Sequence, residues 1–159
     1  MDQNARPAQR PGAASPGPIE VAGGRLVRIV LALVIIELTA ATADIHFQLG
    51  GPLFTLNGVG YVALAVAYAI GAFVPAAIVQ RVAWIPRLGL AGYALVTIGA
   101  YLAMGPYFAL GWVAKGIESA IVGLLLAEML IVYGSPRDVW RAIAARGPFA
   151  GHRPLRGSR

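Results

Sequence analysis

Residues 26–61 read LVRIVLALVIIELTAATADIHFQLGGPLFTLNGVGY. The stretch opens as an apolar run, admits Glu37 partway along, passes Asp44 and His46, breaks at Gly50-Gly51-Pro52 and turns apolar again. About 20 predominantly apolar residues, rising about 1.5 Å each as a helix, cross a hydrocarbon layer of about 30 Å. In lipid the backbone polar groups must be satisfied within the segment, so such a run is expected to be helical. The pattern recurs four times, over residues 26–47, 58–79, 88–107 and 113–133.

Composition agrees. Of 159 residues, 58% are hydrophobic and 13% charged, against about 25% charged in a soluble domain. The expected fold class is an all-α membrane protein, a four-transmembrane-helix bundle over residues 25–134 whose partner is the lipid bilayer. The net charge of +6 does not point to nucleic acid, because the basic residues lie in the tails and between the apolar runs. With no cysteine there is no disulfide and no thiolate metal site.

The arginines orient the helices. Arg25 and Arg28 precede the first run, Arg81 and Arg87 flank the second link, and Arg137, Arg141 and Arg146 follow the fourth run. The 48–57 link has neither Lys nor Arg, and Lys115 alone lies near the 107–113 link. By the positive-inside rule both termini are cytoplasmic (N-in/C-in), in a multi-pass protein of the cytoplasmic, or inner, membrane. A competing reading takes Arg25, Arg28, residues 29–36 and Ala41-Thr42-Ala43 as a signal peptide cleaved before Asp44, which leaves three helices.

Outside the bundle, residues 1–24 are rich in Pro, Gly, Ala and Ser and read as a disordered tail. In residues 135–146, Ser135 suits an N-cap, Pro136 a first turn and Asp138 a positive helix end. Val139, Trp140 and Ile143 share one side and Arg137 and Arg141 another, as in a short helix lying on the inner leaflet. The alternative is a frayed basic tail. Residues 147–159 read as a disordered basic tail.

Small residues form two stripes. Gly116, Ala120, Gly123 and Ala127 share a narrow face of the fourth helix, and Gly92, Gly99 and Ala103 line the third. Such stripes let helices approach closely in lipid. Gly71 and Pro75 are expected to kink the second helix.

The intramembrane polar residues are Glu37, Asp44, Lys115, Glu118 and Glu128. Glu37, Ala41, Asp44 and Gln48 stack on one face of the first helix, and Thr39, Thr42 and His46 on the opposite face. The acids are expected to point into the bundle. With Phe47 and Val113 at the outer boundary, Asp44 and Lys115 lie within ~5 Å of it, Glu118 ~7 Å deep and Glu37 ~15 Å deep. Asp44 and Lys115 are therefore expected to pair across helices, with Glu118 beside Lys115 at i, i+3. An ionised carboxylate at mid-depth costs about 2.5–3.5 kcal/mol. Glu37 is accordingly expected to be neutral, to bond Thr97, Tyr68 or Tyr101, or to line water. Phe47, Phe54 and Tyr61 are placed to anchor the outer interface.

His46 and Asp44 are the metal candidates, although on a continuous helix they point almost oppositely and converge only if the helix has already ended. His152, in the tail, disfavours haem. No nucleophile elbow, phosphate loop, dinucleotide motif or zinc signature occurs, so neither catalytic residues nor cofactors are expected.

The stretches GGPLFTLNGVGYVALAV and GWVAKGIESAIVGLLLAE resemble small four-helix bacterial membrane proteins of unassigned function, notably from high-GC bacteria. The matching residues are His46, Gly51 to Asn57, and Lys115 with Glu118. Some relatives carry a His-x-His pair where this chain has a single histidine. The resemblance covers about a quarter of the chain and implies the four-helix topology without an activity.

These features lead to the expectation of a non-enzymatic structural or accessory subunit that forms a homo-oligomer or joins a larger membrane complex. The alternative is a proton, cation or solute transporter using Glu37, Glu118 and Glu128. A third reading is a redox or metal protein using His46 and Asp44.

Overall fold

The structure, a computed structural model, describes residues 18–135 together with Arg137 and Arg141. The described chain is helical throughout, with α1 Pro18–Leu49, α2 Gly51–Phe73, α3 Ala77–Val82, α4 Trp84–Met104 and α5 Ala109–Tyr133. α1 starts at Pro18, so residues 18–24, expected to belong to a disordered tail, are helical. Residues 1–17 and 147–159, and most of the interfacial segment 135–146, lie outside the described residues.

The first link is a single residue. Gly50 and Gly51 take φ of 68° and 80°, a left-handed geometry open to glycine at little cost. Pro52 then occupies the first turn of α2, where its missing N–H is no loss. As a result α2 starts at Gly51, seven residues before the expected start at Gly58. Pro75 ends α2 outright instead of kinking it. Val74 is extended (φ −87°, ψ 114°), as residues before proline tend to be. The amide of Gln80 donates to the carbonyls of Gly71 (3.2 Å) and Val74 (2.8 Å), satisfying the frayed end. At the opposite end of the bundle, the Tyr101 ring meets Tyr107, Phe108 and Trp112 edge-on, which ties the α4–α5 link down.

Three segments, Gly23–Leu49, Gly51–Phe73 and Ala77–Met104, are long and apolar enough to cross a membrane. α5 is 25 residues long and holds Lys115, Glu118 and Glu128. α1 packs against α2 and α5, and α4 packs against the same two, so the long helices form a four-membered ring. The distribution of polarity is that of a protein in lipid. Leu53, Leu56, Val59, Val96 and Leu126 are exposed, while Arg87, Lys115, Glu118, Glu128 and His46 are buried. Ile35, Leu90, Ile121 and Leu125 fill the centre. Because the surroundings are as apolar as the core, cohesion comes from close packing and internal hydrogen bonds more than from removal of apolar area from water.

The small-residue stripes do not build this bundle. Gly92, Gly99, Ala103, Gly116, Ala120, Gly123 and Ala127 are all exposed. A Cβ at any of those four glycines would meet nothing within 4 Å. Close approach inside the bundle occurs at Gly58, where a Cβ would come 2.7 Å from the Phe47 ring.

Candidate functional site

α1, α4 and α5 converge on the carboxylate of Glu118, which is 0% exposed. One turn earlier on α5, the Lys115 ammonium donates to Glu118 Oε2 at 2.5 Å. From α4, the Thr97 hydroxyl donates to the same oxygen at 2.9 Å. From α1, the Thr42 hydroxyl donates to Oε1 at 3.3 Å. Tyr61 on α2 lies 2.7 Å from Thr97 Oγ1. Thr97 Oγ1 also lies 2.9 Å from the Ala94 carbonyl. Since its one proton goes either there or to Glu118, Tyr61 is the donor in the bond between Tyr61 and Thr97. All four long helices thus contribute to the shell of polar groups around the Glu118 carboxylate. The Lys115 ammonium also sits 5.8 Å from the centroid of the Tyr101 ring, a cation–π distance.

His46 completes the cluster. Its Nδ1 lies 2.7 Å from the Thr42 carbonyl. A carbonyl only accepts, so Nδ1 carries a proton, and any second proton on the ring resides on Nε2. Nε2 is 3.8 Å from Glu118 Oε1, just beyond hydrogen-bond reach. A water molecule or a small rotation would close the gap. Three groups able to bind or release a proton are therefore clustered inside an apolar bundle.

The cluster walls a cavity of about 390 Å³ at the end of the bundle that carries the α1–α2 and α4–α5 links. His46, Thr97 and Lys115 are polar points on its surface, and Phe54, Tyr101 and Phe108 are among its apolar walls. Leu53 and Met104 at its rim are 71% and 82% exposed.

A second ionic centre lies ten residues further along α5. Glu128 accepts from Arg87 Nη2 at 2.7 Å, from Arg87 Nε at 3.2 Å and from the Tyr68 hydroxyl at 2.9 Å. Arg87 Nη1 donates to the Ala83 carbonyl at 2.7 Å. A cavity of about 280 Å³ opens beside this pair, lined by Arg25, Arg28, Gln80 and Arg87. Ten helical residues separate the two centres by roughly 15 Å. Ile121 and Leu125 of α5, Leu90 and Ala94 of α4 and Ile35 of α1 fill the interval with apolar side chains.

Several expected placements are corrected. Glu37 and Asp44 do not face inward. Both are exposed, and the face turned to the neighbours is the one bearing Thr39, Thr42 and His46. Asp44 does not pair with Lys115; it accepts from Gln48 at 2.6 Å, while Lys115 is taken by Glu118. Asp44 and His46 lie in one helix that continues to Leu49, so they cannot converge on a metal. Among the described residues no three His, Asp or Glu side chains gather as a metal site. Thr97 and Tyr68, expected near Glu37, instead serve Glu118 and Glu128. Tyr61 is wholly buried rather than anchored at an interface.

Arg87 has a role that sequence reasoning assigned only to topology. Depth matching offered the missing signal, since Arg87 near the start of α4 and Glu128 near the end of α5 lie at one level in an antiparallel pair. Comparison with known proteins returned no matching family model, curated protein or solved structure.

Proposed function

We propose that this protein is a proton-linked carrier of a small, largely apolar solute in the cytoplasmic membrane. It crosses four times, with both termini on the arginine-bearing side. The observation that supports this reading most is the buried Lys115–Glu118–His46 cluster, of which Lys115 and His46 line the 390 Å³ cavity. Charged groups inside a membrane domain are expensive and usually serve transport or proton transfer. Here the solute occupies the outer cavity and the cluster changes its protonation with loading. Arg87 and Glu128 close the inner end, and the apolar layer between the two centres prevents a continuous water path.

Proteoliposomes under an imposed pH gradient test the reading, with an entrapped pH-sensitive dye and a panel of small lipophilic solutes outside. Wild type should carry protons faster than Glu118→Gln, which keeps the shape but cannot exchange a proton. Equal rates for wild type, Glu118→Gln and protein-free vesicles across the panel would overturn it.

A second reading, a non-enzymatic subunit that packs with itself or with a larger complex, is favoured by one feature. The small-residue stripes of α4 and α5 face outward with open space beside their glycines.

A further inference from the structure

Glu37 stands midway along the Gly23–Leu49 apolar segment and faces away from the bundle. It belongs to a straight row of exposed residues, Leu26, Val30, Leu33, Glu37, Ala40 and Asp44, spaced alternately by four and three. α1 packs against α2 and α5 through its other faces, which carry Ala32, Ile35, Thr39, Thr42 and His46. No hydrogen bond or ion pair reaches Glu37 among the described residues. In a membrane this carboxyl would face hydrocarbon, with neither water nor a protein group to satisfy it. Asp44 differs, because it lies two turns nearer the helix end and is bonded to Gln48.

We propose that this face of α1 is a seam between two copies of the chain, closed by a hydrogen bond between their two Glu37 carboxyls. Three observations favour a second copy as the occupant. Copies inserted with the same orientation place their Glu37 residues at one depth, so a two-fold axis through the α1 pair brings the carboxyls together. No other partner supplies that match automatically. A protonated carboxyl is both donor and acceptor, hence complementary to itself. The four-and-three spacing is that of helices crossing at about 20°, in which a single polar residue sets register and pairing. Leu33 provides the packing knob before Glu37, and Ala40, one turn after it, allows close approach. The seam requires α1 to cross the membrane, and it does not depend on whether the protein transports anything.

The chain has no cysteine, so single cysteines report contact directly. Ala40→Cys should cross-link between copies under mild oxidation in native membranes, and Ala120→Cys on the outward face of α5 should not. In lipid vesicles, energy transfer between labelled full-length chains should show self-association. Glu37→Leu should weaken it about tenfold, and Glu37→Gln, which still donates and accepts, should preserve it. Unchanged thermal unfolding of Glu37→Leu would confirm that the loss lies in association and not in folding. Cross-linking at position 120 but not 40, undiminished association of Glu37→Leu, or a wild type that is monomeric in vesicles would each overturn the seam.

Discussion

The guanidinium of Arg87 on α4 grips the carboxylate of Glu128 on α5, with Nη2 2.7 Å from Oε1 and Nε 3.2 Å from both oxygens. The two side chains are 8% and 3% exposed, and the Arg87 guanidinium lies 5.4 Å from the centroid of the Tyr68 ring. A pair so placed gains little over an apolar replacement of both residues. Losing one partner, however, strands the other in a low-dielectric interior. Arg87→Leu should therefore destabilise by about 3–5 kcal/mol, and Arg87→Leu with Glu128→Leu by less than Arg87→Leu alone. Arg87→Lys should recover only part, because an ammonium cannot reproduce the two-pronged contact. Unfolding in detergent by titration with dodecyl sulfate measures all three.

The Lys115–Glu118 pair leads to a parallel prediction with a built-in control. Lys115→Met leaves the Glu118 carboxylate with hydroxyl donors alone and should be strongly destabilising. Adding Glu118→Gln should recover part of the loss. Asp44→Asn should change stability by less than about 0.5 kcal/mol, since Asp44 is exposed and bonded only to its neighbour. The effects of Asp44→Asn and Lys115→Met should add, and a coupling energy above about 0.5 kcal/mol would show that the two residues meet after all.

His46 should hold its proton on Nδ1. With uniformly ¹⁵N-labelled histidine in lipid, the neutral ring should give the Nδ1–H tautomer, the less common one for free histidine. Thr42 is the partner through its backbone, so Thr42→Val should leave the tautomer unchanged while removing the hydroxyl donor to Glu118. An Nε2–H tautomer in the neutral wild type would contradict the 2.7 Å contact to the Thr42 carbonyl.

Tyr61 and Tyr68 each donate to a buried polar centre, Tyr61 through Thr97 and Tyr68 directly to Glu128. Tyr68→Phe should be the more harmful of the two, by roughly 1.5–3 kcal/mol, because its acceptor is charged. Tyr61→Phe removes a bond between neutral groups and should lose about 1 kcal/mol. Equal losses in thermal unfolding would mean that the Glu128 carboxylate is satisfied by Arg87 alone.

Orientation is open to labelling. Ile78 on α3 is 70% exposed, and Ala109 opens α5 at the other end of the bundle. Cysteine at position 109 should react with an impermeant reagent from outside intact cells. Cysteine at position 78 should react only after the membrane is opened. The reverse pattern would invert the assignment of inside and outside.

Much of the architecture is legible in residue order because its causes are local. Apolar runs long enough to cross lipid must be helical, since nothing else satisfies their backbone there. The break at Gly50-Gly51-Pro52 follows from glycine's freedom to take positive φ and proline's fixed φ, whereas Pro75, expected only to kink the second helix, ends it. The i, i+3 spacing places Lys115 beside Glu118 on α5 whatever else surrounds them.

What residue order leaves open is which face of a helix turns inward. The row Glu37, Ala41, Asp44, Gln48 and the row Thr39, Thr42, His46 are both visible as helical faces, and both are polar. In water the more apolar face would be the buried one. In lipid that cue vanishes, because the surroundings are as apolar as the core. The choice falls to hydrogen bonds with distant residues: Thr42 reaches Glu118 across 76 positions of sequence, and Arg87 reaches Glu128 across 41. Those partners meet only once four helices have closed into a ring. Tertiary structure alone therefore decides that Thr42 and His46 line the interior while Glu37 is left on the outside.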